Sequence, residues 1–272
     1  MGWHSTDDVN EFLTAAGEFL HRQPVRNTVL ITVADTVKRR GPQAYGADTP
    51  LFGWAEDGAF VRTPPMPAVL SAMSDATAAA LAELIEGPLP GVTGPDAAVA
   101  AFTRAWQRRT GGTAQVGVRM RLFRLDQLVQ PAPAPVGTAR ICGPADRELL
   151  IDWTTEMFRE VGEMAKVPEF VDERMSYGGQ MVWEIDGNPV SMAAITRPEA
   201  GMVRIQAVYT PREHRGHGYA AGVTAALSRA ALDAGASDVV LFTDLANPTA
   251  NALYPRIGYV PLEDRTTMEF PS

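Results

Sequence analysis

At 272 residues, 46% of them hydrophobic, the chain is long enough for two ordinary domains with cores of their own. A net charge of −8 argues against a general nucleic-acid binder, and the single cysteine, Cys142, excludes an intramolecular disulfide or a multi-cysteine metal site, so no metal is expected. No apolar run approaches the length of a membrane span and the N-terminal MGWHSTDDVNEF lacks a signal peptide's basic and apolar regions, so a cytoplasmic protein with no membrane partner is expected.

Along residues 1–130 the patterns predict a helix at Asp8 to Arg22 and strands around Asn27 to Val33, Leu51 to Glu56 and Ala59 to Thr63. Helices at Asp75 to Ile85 and Asp96 to Arg109 follow, then a strand at Val116 to Leu125. Gly87 to Gly94 lies where a glycine-rich anion loop could sit, but its two prolines and lack of a basic residue make it a poor one. A proline-rich linker covers 131–137, where alternating proline favours extended chain.

Residues 138–272 read as a second αβ domain. Arg147 to Ala165 places Leu150, Trp153, Met157, Val161 and Met164 at helical spacing. Gly179 to Ile185 and Val190 to Thr196 flank the turn Asp186-Gly187-Asn188. A strand at Met202 to Thr210 precedes a helix at Tyr219 to Ala234, ended by Gly235. A strand at Val239 to Thr243, a short helix at Thr249 to Arg256 and a strand near Thr266 to Phe270 complete it. The fold class is α/β, a mixed sheet flanked by helices.

The stretch Ala207 to Ala221, AVYTPREHRGHGYAA, concentrates the functional signal. A strand runs out at Thr210-Pro211, a basic turn follows, and Gly216 and Gly218 open an Ala-rich helix. Exposed N–H groups at a helix N-terminus, reinforced by the helix dipole, attract anions, and glycine lets the main chain approach them closely. The device suits a pyrophosphate, with Arg215 adding charge. Gly216 to Ala221 also fits the loose dinucleotide pattern G-x-G-x-x-A, but five residues separate the strand from Gly216 and too little chain remains for further βαβ units. A Walker-type loop would need Lys-Ser/Thr after its last glycine. A glycine-containing connection with no ligand is the remaining alternative.

At these residues the chain resembles the GNAT superfamily of acyl-CoA-dependent N-acyltransferases. The family's Arg/Gln-x-x-Gly-x-Gly/Ala motif is matched by Arg215-Gly216-His217-Gly218-Tyr219-Ala220. Its later pattern of Asn, Ala, Tyr and Gly-Phe/Tyr is matched by Asn247, Ala250, Tyr254 and Gly258-Tyr259. The resemblance covers roughly residues 138–272. It implies acetyl-CoA as co-substrate, with Gly216, His217, Gly218, Tyr219, Ala220 and Ala221 at the pyrophosphate. Ala207, Val208, Tyr209 and Thr210 would follow the pantetheine arm, one backbone N–H facing the thioester oxygen. Residues 1–130 carry no such loop and are either a degenerate second copy of the fold or an unrelated αβ domain.

Tyr254 is the candidate general acid, its phenol able to protonate a departing thiolate; a packed aromatic is the alternative. Asn247 and, more weakly, Asn251 are candidates for the pantetheine amides, while Asn247 before Pro248 is equally a helix cap. No single base stands out. Asp152, Glu156 and Glu160 share a helix face that is either simply solvated or attracts a protonated amine, and Glu184 and Asp244 are further candidates. His214 and His217 belong to the phosphate loop. The expected activity is transfer of an acetyl group to a primary amine of a small molecule or peptide, with a non-catalytic acyl-CoA sensor as the alternative.

Overall fold

The computed structural model describes residues 2–161 and 166–271. They form two compact units. The first holds residues 2–122, Asp244–Ala246 and residues 262–271; the second holds the described part of Phe123–Thr243 together with Asn247–Pro261. Residues 123–137 thus belong with the second unit, and the last strand of the chain runs on into the first. Among the described residues no helix is long and apolar enough to cross a membrane.

The first unit runs β1 (His4–Thr6), α1 (Val9–His21), α2 (Thr28–Arg40), β2 (Leu51–Ala55), β3 (Gly58–Arg62), β4 (Ala68–Leu70), α3 (Asp75–Leu84), β5 (Gly91–Pro95), α4 (Asp96–Thr110) and β6 (Gln115–Leu125) as far as Leu122. Strands β1 to β4 pair antiparallel in sequence order, and β4 pairs parallel with β5. The other edge of β5 takes residues 265–269 of β12 (Tyr259–Glu269), antiparallel. One apolar layer joins Phe12, Leu20, Leu30 and Phe52 under α1 and α2; another joins Phe60, Leu81, Val92 and Phe102 under α3 and α4.

The strand expected around Asn27 to Val33 is instead the start of α2. The β-branched run Thr28-Val29-Leu30-Ile31-Thr32-Val33 favours a strand locally, yet the buried residues Leu30, Ile31, Ala34 and Val37 fall on one helical face. Two hydroxyls fold back onto the helix, Thr32 Oγ1 onto the Thr28 carbonyl at 2.8 Å and Thr36 Oγ1 onto the Thr32 carbonyl at 2.7 Å. Burial of that face outweighs propensity. Likewise the end of Gly87 to Gly94 is no loop but the start of β5.

The second unit comprises β7 (Thr138–Ile141), α5 (Arg147–Val161), α6 (Val167–Met175), β8 (Gln180–Ile185), β9 (Asn188–Ile195), β10 (Met202–Tyr209), α7 (Tyr219–Asp233), β11 (Asp238–Asp244), α8 (Pro248–Arg256) and the first residues of β12. The rest of the helix expected to Ala165 lies outside the described residues. Strands β7 to β10 pair antiparallel in order and β10 pairs parallel with β11. The β8–β9 turn is Asp186-Gly187, both at positive φ (49° and 80°), the geometry that matches strand twist. The order strand, two helices, three strands, helix, strand, helix, strand therefore occurs in each half of the sequence.

Alternation along the strands divides this unit's core in two. Met181, Ala193, Val203 and Ile205 pack with Val223 and Leu227 of α7 and Tyr254 of α8. Val182, Met192 and Tyr209 pack with Leu150 and Trp153 of α5 and Val171 of α6. Cys142 lies in the latter cluster, where burial, the largest cause, pushes its thiol up to about 12 and leaves it unreactive.

Candidate functional site

The parallel pairing of β10 with β11 runs from Met202↔Asp238 to Ile205↔Leu241 and stops there. On its other side β10 shifts register against β9: Gln206 faces Ala194, but the next aligned pair is Tyr209↔Met192. One extra residue is accommodated by a bulge, with Ala207 at φ 50°, a left-handed conformation rare for a residue with a Cβ. From Gln206 onward the strand is therefore free of its parallel neighbour, and its backbone is re-aimed at Ala207 and Val208.

Beyond β10 the chain turns through Pro211 and a single 3₁₀ turn, Arg212–His214. Gly216 and Gly218 both take positive φ, 85° and 81°. A Cβ at Gly216 would meet nothing within 4 Å, so the space beside the main chain is open. Gly218 caps α7 without any side-chain hydrogen bond, and the first helical bond is Gly222 N–H to the Gly218 carbonyl at 3.0 Å. The N–H groups of Tyr219, Ala220 and Ala221 precede it and point out of the helix end. Gly222 sits against Pro135 and the Trp183 ring; Trp183 Nε1–H also donates to the Val136 carbonyl at 2.8 Å. The proline-rich segment is thereby held along the first turn of α7.

Arg215 is tied down on two sides. Its Nε–H donates to the Thr210 carbonyl at 2.9 Å and its Nη2 to both oxygens of Glu160, at 3.1 and 2.8 Å. Arg212 Nε reaches the same carboxylate at 3.2 Å. The bond from Arg215, with Arg212 adding to it, holds the Glu160 carboxyl below its usual range. His217 is exposed and stacks on Tyr219, ring centroids 5.4 Å apart. Ser191 Oγ and Thr210 Oγ1 share a hydrogen bond of 2.9 Å, and Ser191 also donates to the Tyr209 carbonyl. The end of β10 is thus pinned to β9.

Tyr254 is 6% exposed, its ring against Phe123 and edge-on to Tyr259 (centroids 6.2 and 5.9 Å). Burial raises its phenol above the usual value, so it stays protonated. Tyr259 shares a hydrogen bond with Ser228 at 2.7 Å, whereas no hydrogen bond reaches the Tyr254 hydroxyl among the described residues. Asn247 is the N-cap of α8: its Oδ1 accepts the Ala250 N–H at 3.0 Å. Asn251 Nδ2 donates to the Asn247 carbonyl at 2.7 Å and its Oδ1 accepts from Thr243 Oγ1 at 2.7 Å. Both amides are engaged in shaping the β11–α8 turn.

The carboxylates sort by partner. Glu184 binds Arg140 at 2.6 Å, as does Asp146 through a two-point pair, and Asp244 Oδ1 accepts the Ala246 N–H at 2.8 Å. Glu156 accepts the Tyr209 hydroxyl at 3.0 Å. The sequence had hinted at these contacts only through the period-four acidic stripe and the two loop arginines. Among the described residues no group of three His, Cys, Asp or Glu is placed to hold a metal.

The second unit thus carries a bulged strand splayed from its parallel neighbour, leading through a glycine turn into a helix whose N-terminus has no side-chain cap. Residues 147–259 match the family model described as Acetyltransferase (GNAT) family, and the chain carries a domain of that family. In fold the whole chain is similar to a GNAT-family acetyltransferase from Colwellia psychrerythraea, 11% identical with all of both chains covered and a TM-score of 0.64. It is similar also to a GCN5-related N-acetyltransferase from Sphaerobacter thermophilus, 14% identical over 98% of this chain and 95% of that one, TM-score 0.62. A Drosophila protein, 12% identical over 99% and 98%, gives 0.68. No curated protein matches the chain.

Proposed function

We propose that the chain is an N-acetyltransferase that moves the acetyl group of acetyl-CoA to a primary amine of a cationic acceptor by direct attack in a ternary complex. One observation carries this reading: the strand edge freed beyond Ile205 leads straight into the open glycine turn at Gly216 and Gly218. The residues present fit such a donor, since an extended arm can line an unpaired strand edge and a pyrophosphate can fill the space a Cβ would take.

Acetyl-CoA, when bound, supplies an activated thioester. The N–H groups of Tyr219, Ala220 and Ala221, with Arg215, hold the phosphates. The re-aimed backbone at Ala207 and Val208 offers an N–H to the carbonyl oxygen as negative charge develops there. The amine lone pair forms the C–N bond while the C–S bond breaks. Tyr254 gives its phenolic proton to the leaving sulfur, and the proton lost from the nitrogen returns through solvent to the tyrosine. In this reading the first unit is a second copy of the same fold that does not hold the donor.

The test is release of CoA thiol by the purified chain with acetyl-CoA and a panel of polyamines, aminoglycosides and lysine-containing peptides. Thiol release matched by acetylated amine is expected. Binding of acetyl-CoA with a flat response across the panel would replace this reading with a non-catalytic acyl-CoA sensor.

A further inference from the structure

Most carboxylates near the bulged end of β10 are already committed. Glu160 answers Arg212 and Arg215, Glu184 answers Arg140, and Asp244 closes a turn. Glu156 is different. Its Oε2 takes one neutral donor, the hydroxyl of Tyr209 at 3.0 Å, and Glu156 itself is exposed. Tyr209 is the last residue of β10, two beyond Ala207, and its side chain is buried beside Trp153 with ring centroids 6.5 Å apart. A donor on a buried ring therefore holds one oxygen of an exposed carboxylate. Burial first, and the bond to Glu156 second, raise the Tyr209 phenol, so it remains a donor.

The surrounding charges favour a cation. Arg215 lies over the Tyr209 ring, 5.7 Å from its centroid, but its charge is taken up by Glu160 one turn along α5. Asp152, one turn earlier, adds negative charge on the same helix face. A tyrosine side chain also separates Glu156 from the β10 backbone, where the acetyl carbonyl would lie. A nitrogen bound to Glu156 is thus several bonds from the one that attacks.

Resting on the acyl-transfer reading above, we propose that Glu156, positioned by Tyr209, anchors a second, unreacting ammonium of the acceptor, which makes the acceptor class a diamine or polyamine. Tyr209 is a positioning residue here and Glu156 a binding one; neither moves a proton.

The experiment compares 1,4-diaminobutane with butylamine as acceptors for the unsubstituted chain, Glu156→Gln, Glu156→Asp and Tyr209→Phe. The diamine is expected to have the lower KM. Glu156→Gln should raise the diamine KM about tenfold, the loss of one charge-assisted hydrogen bond, and leave the butylamine KM, the diamine kcat and the KM for acetyl-CoA within twofold. Tyr209→Phe should give a smaller rise of the same kind, and Glu156→Asp should restore part of the preference. Equal changes for both amines, or none, overturn the anchor. Failure of the acyl-transfer reading looks different: no thiol release by the unsubstituted chain with any amine. In that event calorimetry of diamine binding decides, and equal affinity for the unsubstituted chain and Glu156→Gln again overturns the anchor.

Discussion

Arg215 grips both oxygens of Glu160, at 3.1 and 2.8 Å, so the arginine closest to the glycine turn is neutralised from within the fold. A pyrophosphate entering the turn competes with that carboxylate for the same guanidinium, and for Arg212 beside it. Glu160→Gln removes the competitor. Acetyl-CoA is expected to bind about threefold more tightly to this variant at low salt, the scale of one partly exposed ion pair, and the gain should vanish near roughly 0.5 M salt. Calorimetric titration at two salt concentrations reads both effects. Weaker binding by the variant would show that the pair shapes the loop rather than competing for it.

Tyr254→Phe keeps the ring that packs on Phe123 and Tyr259 and removes only the hydroxyl. Loss of a general acid costs about a hundredfold or more in kcat, and acetyl-CoA affinity should stay unchanged because the cradle lies on β10 and α7. Burial holds the phenol above its ordinary value, so the proton-bearing form persists through the alkaline range. The kcat of the unsubstituted chain should therefore show no decline from Tyr254 up to about pH 10. A variant as active as its parent would remove Tyr254 from the chemistry and leave it a packed aromatic.

Local signals carried much of this fold. Gly216, Gly218 and the helix they open, the Asp186-Gly187 turn and the Asn247 cap are all fixed by backbone demands that particular residues satisfy, so they are readable from a few neighbours. The splay of β10 from β11 is not, because it depends on where pairing ends between strands whose residues Ile205 and Leu241 are far apart in sequence. The grip of Arg215 on Glu160 spans 55 residues and was visible only as an acidic stripe. Helix α2 failed for the opposite reason: Thr28 to Val33 favours a strand locally, and burial of Leu30, Ile31, Ala34 and Val37 on one face overrides it. The short strands β1, β4 and β7, and helix α6 with its single fully buried residue, Val171, have too little periodicity to register.

The first unit repeats the element order but closes the corresponding helix end with its own side chains. Ser74 caps α3, and Asp57, from the β2–β3 turn, accepts the Ser74 N–H at 2.9 Å and the Thr77 hydroxyl at 2.6 Å. Burial alone would raise the Asp57 carboxyl, but the bonds from Thr77 and Ser74 outweigh it and hold it below its usual range. A carboxylate thus stands where an anion would bind. Titration should give one acetyl-CoA per chain, and Gly218→Val, which forces a branched residue into φ 81°, should abolish it while leaving the far-ultraviolet dichroism of the fold intact. Two sites per chain would refute the closure of the first unit.

Asp146 is 8% exposed and bound by Arg140 through two hydrogen bonds of 2.7 and 2.8 Å, with the Gly143 N–H on the same carboxylate at 2.7 Å. Arg140 is the main cause that holds this carboxyl below the ordinary value of 3.8. The folded chain therefore keeps Asp146 ionised where the unfolded chain protonates it. Its contribution to stability is full above that ordinary value and is lost as the pH falls through the lower value of the folded state. Asp146→Asn leaves Arg140 with Glu184 alone and should cost about 1–3 kcal/mol at pH 7, the range for removing one partner of a largely buried, hydrogen-bonded charge pair. Urea unfolding at pH 7 and near pH 3 separates this from simple packing damage: the gap between the variant and its parent should narrow in acid, because below the ordinary value of 3.8 unfolding of the parent is favoured by proton uptake at Asp146, which the variant lacks. An equal gap at both pH values would mean that the shape of Asp146, rather than its ionisation, stabilises the turn before α5.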